Sequence, residues 1–267
     1  MRTISLFGFL LCLCSITANA FTNDIELVKI TRNQMVLSQK ITKLYFMLGA
    51  NLKAEQTQHA LNAAIKEFDN GNLSLKTLAK ESSVQDDLRP MTLSWQVYKA
   101  QLGRPFVLAK ANDLLQMNEQ LSTAERNFLQ DLQKAFAITI PDAVVASDQQ
   151  RMLSQKIATF YVALYAGAPV PELEADLQKA VERYDAGLNN LMSKPENTPE
   201  IRKYLAKTKG QWDFSKSGLA YQKNGQFTPY VILATTDAMQ KSMDTVAAEY
   251  QHAFLPQNRL ASAKLDF

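Results

Sequence analysis

The sequence predicts an all-α protein built as two tandem four-helix up-down bundles packed side by side. Glycine and proline are scarce, with 9 of each in 267 residues, while 46% of the residues are hydrophobic. This composition, in which alternating β-branched residues are almost absent, is typical of helical proteins. A ten-residue segment of the first third also returns 116 residues later. A fixed offset of this kind indicates a tandem duplication.

The duplication extends over most of the chain. Residues 37–46 return as 153–162, with six of the ten positions identical. Further matches in collinear order are Leu61 with Leu177, Phe68-Asp69 with Tyr184-Asp185, Gly71 with Gly187, Leu75 with Leu191, Trp95 with Trp212, Pro105–Leu108 with Pro229–Ile232, Asp113 with Asp237 and Gln116 with Gln240. We therefore divide the chain into a first unit, 21–138, and a second unit, 139–267.

Each unit is expected to contain four helices. The predicted ranges are 24–50, 54–69, 83–102 and 105–137 in the first unit, and 142–166, 171–192, 198–220 and 229–254 in the second. Proline suits the first turn of a helix, where its missing N–H group is not needed, as at Pro105 and Pro229. Breaks are expected at Asn70-Gly71-Asn72 and Ser193-Lys194-Pro195. Short connections favour up-down bundles.

The join between the units decides how they are arranged. A single helix running from one unit into the next is the alternative to two adjacent bundles. Pro141 and the β-branched residues before it, Ile138-Thr139-Ile140, disfavour that continuous helix. The second bundle is therefore expected beside the first.

Residues 1–20 are predicted to be a cleaved signal peptide. Arg2 supplies the positive start, Leu6–Leu13 form a short apolar run, and Ala18-Asn19-Ala20 has the small-residue pattern of a cleavage site. The expected location is the periplasm. Both cysteines lie within this segment, so the mature chain would have no disulfide, thiolate catalyst or cysteine-bound zinc.

Charge and motif content narrow the possible functions. The formal net charge is only +3, without a clustered basic run, which gives no reason to expect nucleic-acid binding. The two histidines, His59 and His252, are far apart and are expected to be solvated surface residues. No Ser/His/Asp set, metal cluster or glycine-rich phosphate loop is recognisable. We therefore expect no enzyme activity and no cofactor.

The helix that contains the repeated segment has two unusual faces. At about 100° per residue, one stripe is apolar and is predicted to pack into the unit's own bundle: Leu153, Ile157, Phe160 and Leu164. The second face carries small, amide, hydroxyl and apolar groups around one arginine: Arg151, Ser154, Gln155, Ala158, Val162 and Tyr165. The first unit repeats it with Met35, Ser38, Gln39, Thr42, Phe46 and Gly49. This face is predicted to pack on the equivalent helix of the other unit or on another chain.

Arg151 is the main candidate for ligand binding. A buried guanidinium needs acceptors, and its planar fork suits a small oxyanion such as a carboxylate or nitrate. The competing interpretation is that Arg151 is simply paired with an acid of its own chain, such as Asp148 or Asp185.

The segment Gln150–Ala158 resembles the signature of the type IV pilus methyl-accepting chemotaxis transducer N-terminal domain. This PilJ-type or NarX-like module is the extracytoplasmic part of nitrate and nitrite sensor kinases and of some chemoreceptors. The resemblance implies that a nitrate-type anion lies between paired first helices, each of which supplies an arginine. The candidate anion-binding residues are then Arg151, Ser154, Gln155 and Gln150 in the second unit, and Ser38, Gln39 and Arg32 in the first.

The chain departs from this pattern in two ways. The first unit has Met35 where the second has Arg151, although Arg32 lies one turn earlier. A homodimer joined through the second units would restore an arginine pair. The membrane helices and output domains of the family are also missing, so any signal would pass to a membrane-bound sensor or transducer.

Two functions remain open. The first is a periplasmic signal-transduction protein that senses a small anion, with nitrate or nitrite as the first candidate, as in chemotaxis receptors. The second is a structural or interaction protein that docks on a membrane receptor or type IV pilus component and binds no small molecule. The missing arginine favours the second, and the retained Arg-x-x-Ser-Gln favours the first.

Overall fold

The computed structural model describes the backbone of residues 7–80, 82–222 and 224–262, and the side chains of residues 23–80, 82–220, 222 and 224–252. The side chains of the predicted signal peptide, 1–20, lie outside these ranges. The helices are α1 (Phe7–Gly49), α2 (Ala54–Ala79), α3 (Arg89–Leu102), α4 (Ala111–Ala135), α5 (Asp142–Tyr165), α6 (Leu173–Met192), α7 (Pro199–Gln222) and α8 (Pro229–Ser262). No strand occurs in the described ranges, which confirms the all-α prediction.

The helices pack in the order that the duplication predicts. In the first unit α1 packs on α2 and α4, and α4 packs on α3; in the second unit α5 packs on α6 and α8, and α8 packs on α7. The two units meet through extensive packing of α1 against α5. Both helices are therefore surrounded by neighbours, and most of their described side chains are buried.

Equivalent helices also end in the same way. Asn51 follows α1 and Gly167 follows α5, 116 residues apart, and both have positive φ angles, 54° and 69°. After each, a backbone N–H reaches back five residues, from Leu52 to Met47 (2.9 Å) and from Ala168 to Ala163 (2.9 Å). This is a Schellman motif, which satisfies carbonyl groups at a helix end.

A third Schellman motif separates the units. Ala137 has a φ of 51°, and the Ile138 N–H donates to the Gln133 carbonyl (3.0 Å). This left-handed residue ends α4 and turns the chain before α5 begins at Asp142. A continuous helix through the join is therefore not formed.

Several predicted boundaries are wrong; the third helix, for example, begins at Arg89 and not at 83. The expected break at Asn70-Gly71-Asn72 lies inside α2, because Asn72 is buried and its side chain accepts a hydrogen bond from Gln34. Pro105 does not open the fourth helix of its unit. A short 3₁₀ turn, Leu108–Lys110, precedes α4, whereas Pro229 does begin α8.

Candidate functional site

The centre of the α1–α5 interface contains a buried ion pair between equivalent positions of the two units. The Arg32 Nε donates to the Asp148 Oδ2 (2.5 Å), and these residues are 116 positions apart, which is the repeat offset. Contact between a residue and its own repeat equivalent places both next to the approximate twofold axis that relates the units. Arg32 is 7% exposed and Asp148 is 8% exposed.

Arg151 joins this pair from the second unit. Its Nη1 donates to the Asp148 Oδ1 (2.9 Å), and its Nε donates to the Asp244 Oδ1 on α8 (2.5 Å). The two guanidinium groups are thus matched by two carboxylates. Of the two acids considered from the sequence, Asp148 is a partner of Arg151. Asp185 instead accepts the indole N–H of Trp212 (2.8 Å).

The Ser-Gln part of the motif faces the fourth helix of its own unit. In the first unit, the Ser38 hydroxyl donates to the Glu125 Oε2 (3.0 Å) and the Gln39 Nε2 donates to the Ser122 hydroxyl (2.8 Å). In the second, the Gln155 Nε2 donates to the Asp237 Oδ1 on α8 (3.3 Å). Ser154 is fully buried and its hydroxyl donates to the Arg151 carbonyl (2.8 Å).

Arg151 lies at the interface between the units, but for the Ser-Gln residues the prediction that this face packs on the other unit is wrong. The α4 and α8 helices carry carboxylates and hydroxyls toward α1 and α5, so the polar motif residues find partners inside each bundle. Thr42 likewise bonds the Tyr98 hydroxyl (2.8 Å), and the Phe46 ring lies 5.4 Å from that of Phe106. The burial expected for this face is confirmed at five positions, Met35, Thr42, Phe46, Ala158 and Val162, and is wrong at Tyr165, which is 42% exposed.

The apolar stripe predicted for the bundle interior is divided. Ile157 is fully buried, whereas Leu153 and Phe160 line a groove between the units. When a helix is buried on both sides, its hydrophobic periodicity does not show which neighbour each side contacts. For this reason the sequence analysis assigned the two faces of α5 to the wrong neighbours.

Two further ion pairs cross between the units. Lys43 on α1 is 2% exposed and its ammonium group pairs with Asp237 on α8. Burial lowers the pKa of Lys43, and the neighbouring Asp237 partly opposes that effect. On the opposite side, Lys156 on α5 pairs with Glu119 on α4 (3.0 Å). Burial raises the pKa of Glu119, but Lys156 and Arg126 together hold it below its usual value.

A groove of about 1020 Å³ runs along the side of the molecule that carries the Lys156–Glu119 pair. Its floor is formed by α1 and α5, and its walls are formed by α4 and α6. Arg32 and Asp148 line it, so the central ion pair is reachable from the groove. A smaller cavity of about 200 Å³ lies beside it. Amide, hydroxyl and charged side chains line this cavity: Gln39, Asn112, Gln116, Asn118, Thr159, Glu119 and Lys156.

One buried acid has no counter-charge in its immediate contacts. Glu125 is fully buried; it accepts the Ser38 hydroxyl, and its Oε1 has no hydrogen-bond partner in the described part of the chain. Burial raises the pKa of Glu125 to about 8. Because it is buried without a charged partner in direct contact, this group belongs to the bundle core and not to the ion-pair cluster.

Sequence reasoning missed Asp244, Glu125 and Lys43. One signal was available, because Arg32 and Asp148 carry opposite charges at equivalent repeat positions. If the first helices of the two units pack together so that equivalent residues lie close to each other, an arginine in one unit and an aspartate at the same position of the other are expected to form an ion pair across the interface.

Other ligand-binding features are limited. Among the described residues, no group of three or more histidine, cysteine, aspartate or glutamate side chains is placed to hold a metal ion. His59 and His252 are exposed. The helices contain no described stretch that is long and apolar enough to cross a membrane.

Comparison with known proteins gave no match: no family model, no curated protein and no solved structure aligns significantly with this chain.

Proposed function

We propose that this chain is an exported, periplasmic sensory or ligand-binding protein of the PilJ or NarX-like type, which binds a small planar oxyanion where α1 meets α5. One observation supports this proposal. Arg32 and Arg151, from the equivalent helices of the two units, both donate to the carboxylate of Asp148. A carboxylate and a nitrate ion are both planar oxyanions that match the guanidinium fork.

In this proposal Asp148 competes with the ligand. A nitrate or nitrite ion entering along the groove displaces the Asp148 carboxylate and takes over the bonds from Arg32 and Arg151. Arg151 remains anchored to Asp244, so the site keeps its shape while Asp148 turns toward the groove. The resulting change at the α1–α5 interface would be communicated to a membrane-bound sensor or transducer.

The test is calorimetric titration of the mature protein with nitrate, nitrite, chloride and sulfate. Arg151→Ala is expected to weaken nitrate binding about tenfold or more, because a charge-assisted hydrogen bond contributes roughly 1.5–3 kcal/mol. Arg151→Lys should recover only part of that loss, since an ammonium group lacks the planar fork.

Asp148→Asn provides the sharper comparison. It removes the competing charge, so nitrate should bind this variant more tightly than wild type and should raise its melting temperature more. Asp244→Asn is the matched control, because it removes a carboxylate of the same network that contacts Arg151 but does not lie between the two arginines. Equal nitrate affinity in wild type, Asp148→Asn and Arg151→Ala would refute the site.

The second candidate is a structural or interaction protein that binds no small molecule and docks on a membrane receptor or pilus component. It is favoured by the complete pairing of Arg151 with Asp148 and Asp244. Breaking such a buried pair costs about 3–5 kcal/mol. In this case Arg151→Ala should lose stability, and no anion of the panel should produce heat with any variant.

A further inference from the structure

In each unit, a glutamine of the first helix lies directly against a glycine of the second helix. A Cβ atom built on Gly71 would lie 2.7 Å from the Gln34 Nε2, and one built on Gly187 would lie 2.1 Å from the Gln150 Nε2. Both pairs occupy equivalent positions of the repeat. The absence of a side chain at the two glycines is what allows the amides to approach so closely.

The two amides differ in their hydrogen bonds. Gln34 donates to the Phe68 carbonyl (2.8 Å) and to the Asn72 side chain (3.3 Å). The position equivalent to Asn72 is Leu188, which offers no side-chain acceptor. Gln150 is 1% exposed, its Oε1 has no partner, and no hydrogen bond to another described residue holds its amide.

A cation accompanies this amide only in the second unit. Arg183 lies one turn before Gly187 on α6 and faces the same groove as Gln150, and the equivalent residue of the first unit is Glu67. Arg183 is exposed, and no acidic side chain of the described residues lies within salt-bridge distance of it. Lys179 lines the same wall one turn earlier, but it is paired with Asp176 (3.5 Å), so the unpaired charge of this wall is that of Arg183.

Apolar residues continue from this corner along the groove floor. Met152, Leu153 and Phe160 of α5 and Met35 of α1 line it. The floor from Gln150 to Phe160 extends for about 15 Å, at the rise of an α-helix. Methionine side chains adapt to ligands of different shape. The groove thus combines a polar, cationic corner with an adjoining apolar channel.

We propose that this corner, formed by Arg183 and the Gln150 amide against Gly187, is a binding site for the carboxylate of an organic acid whose apolar chain lies over Met152 and Leu153. The guanidinium supplies the charge, the amide Nε2 supplies a donor that no other described residue uses, and Gly187 leaves room for that amide beside α6. This site lies in the same groove as Arg32 and Asp148, but it relies on Arg183 instead of the Arg32–Asp148–Arg151 cluster, so it does not require the proposed nitrate site.

The test uses octanoate as the probe, with octylammonium, octanol and acetate as ligands that change only the head group or only the chain. Calorimetric titration of the mature protein should give binding for octanoate, and weaker or no binding for the other three. Arg183→Glu, which introduces the residue found at the equivalent position 67, should weaken octanoate binding about tenfold or more without affecting folding, because position 183 is exposed.

Two further variants isolate the site. Arg202→Glu makes the same charge change on an exposed position of α7 that does not line the groove, and it should leave octanoate affinity unchanged. Gln150→Met should weaken octanoate binding while keeping or raising the melting temperature, because it removes a buried amide that has no partner.

Several results would overturn the proposal. Equal binding of octanoate and octanol, or equal octanoate affinity in wild type and Arg183→Glu, would show nonspecific apolar contact only. No binding of octanoate would also exclude the site. Its failure is distinguishable from failure of the nitrate site, because Arg151→Ala should affect nitrate alone and Arg183→Glu should affect octanoate alone.

Discussion

Replacing Glu125 by glutamine should change how the stability of the protein depends on pH. The carboxyl is fully buried, with only the Ser38 hydroxyl as a hydrogen-bond partner in the described structure, and its pKa is raised from 4.5 to about 8. Between these values the folded chain keeps a proton that the unfolded chain releases. The stabilising contribution is therefore complete below about pH 4.5 and is lost as the pH rises through about 8.

The size of the effect follows from the same values. Each pH unit within this window lowers the free energy of unfolding by about 1.4 kcal/mol, which amounts to about 5 kcal/mol across the window. Glutamine has the shape of the protonated acid but does not titrate. Glu125→Gln should therefore match or fall slightly below wild type at about pH 5 and exceed it at about pH 8, since its leftover amide hydrogens cost about 1–3 kcal/mol.

Urea unfolding measured from about pH 5 to 8.5, with tryptophan fluorescence as the signal, provides the assay. Trp95 and Trp212 are both buried, one in each unit, so both bundles are observed. Glu249→Gln is the matched control, because Glu249 is the equivalent residue of α8 and is only partly buried. Parallel pH profiles for wild type and Glu125→Gln would refute the argument, as would an equal effect of the control.

Two other substitutions test the packing. Lys43→Met should leave stability within about 1 kcal/mol of wild type or raise it, because it removes a buried ammonium but keeps the stem. Lys43→Ala should lose about 2–5 kcal/mol relative to the methionine variant, since it leaves a cavity; equal melting temperatures for the two would contradict this. Gly71→Ala should destabilise more than Gly187→Ala, because the new methyl group breaks two hydrogen bonds of Gln34 but none of Gln150. Thermal melts of the two alanine variants decide the point, and the reverse order would contradict this difference in hydrogen bonding between the units.

The sequence was sufficient for the helical class and for the number of helices, because the duplication gives the four-helix pattern twice. The pairing of α1 with α5 was expected because the helix with the repeated segment has two faces that lack the usual solvated charges. Local rules failed where tertiary contacts override them. Gly71 normally indicates a break, yet here it lies within α2 because Gln34 needs the space above it. Pro105 suits a helix start, but α4 begins only at Ala111.

The candidate site was only partly predictable. The spacing of one helical turn between Asp148 and Arg151 is enough to predict that they can pair. Asp244 and Glu125 come from helices far away in sequence, and no local pattern shows that α4 and α8 direct acids toward the motif. The exchanged faces of α5 have the same origin, since both faces are buried and composition alone does not identify the neighbour.

The pairing of equivalent helices within one chain has an electrostatic consequence for assembly. Residues next to a twofold axis meet their own equivalents, so identical units would bring Arg32 against Arg32, or Asp148 against Asp148. Like charges placed together at an interface cost several kcal/mol. A tandem chain avoids this cost because its two units can diverge, and here one carries the arginine and the other the aspartate. The surface of α5 through which second units would meet in a homodimer is occupied by α1 in this arrangement. A dimer of the whole chain would therefore need a different surface, and in the proposed anion site the second arginine would be supplied within the chain by Arg32.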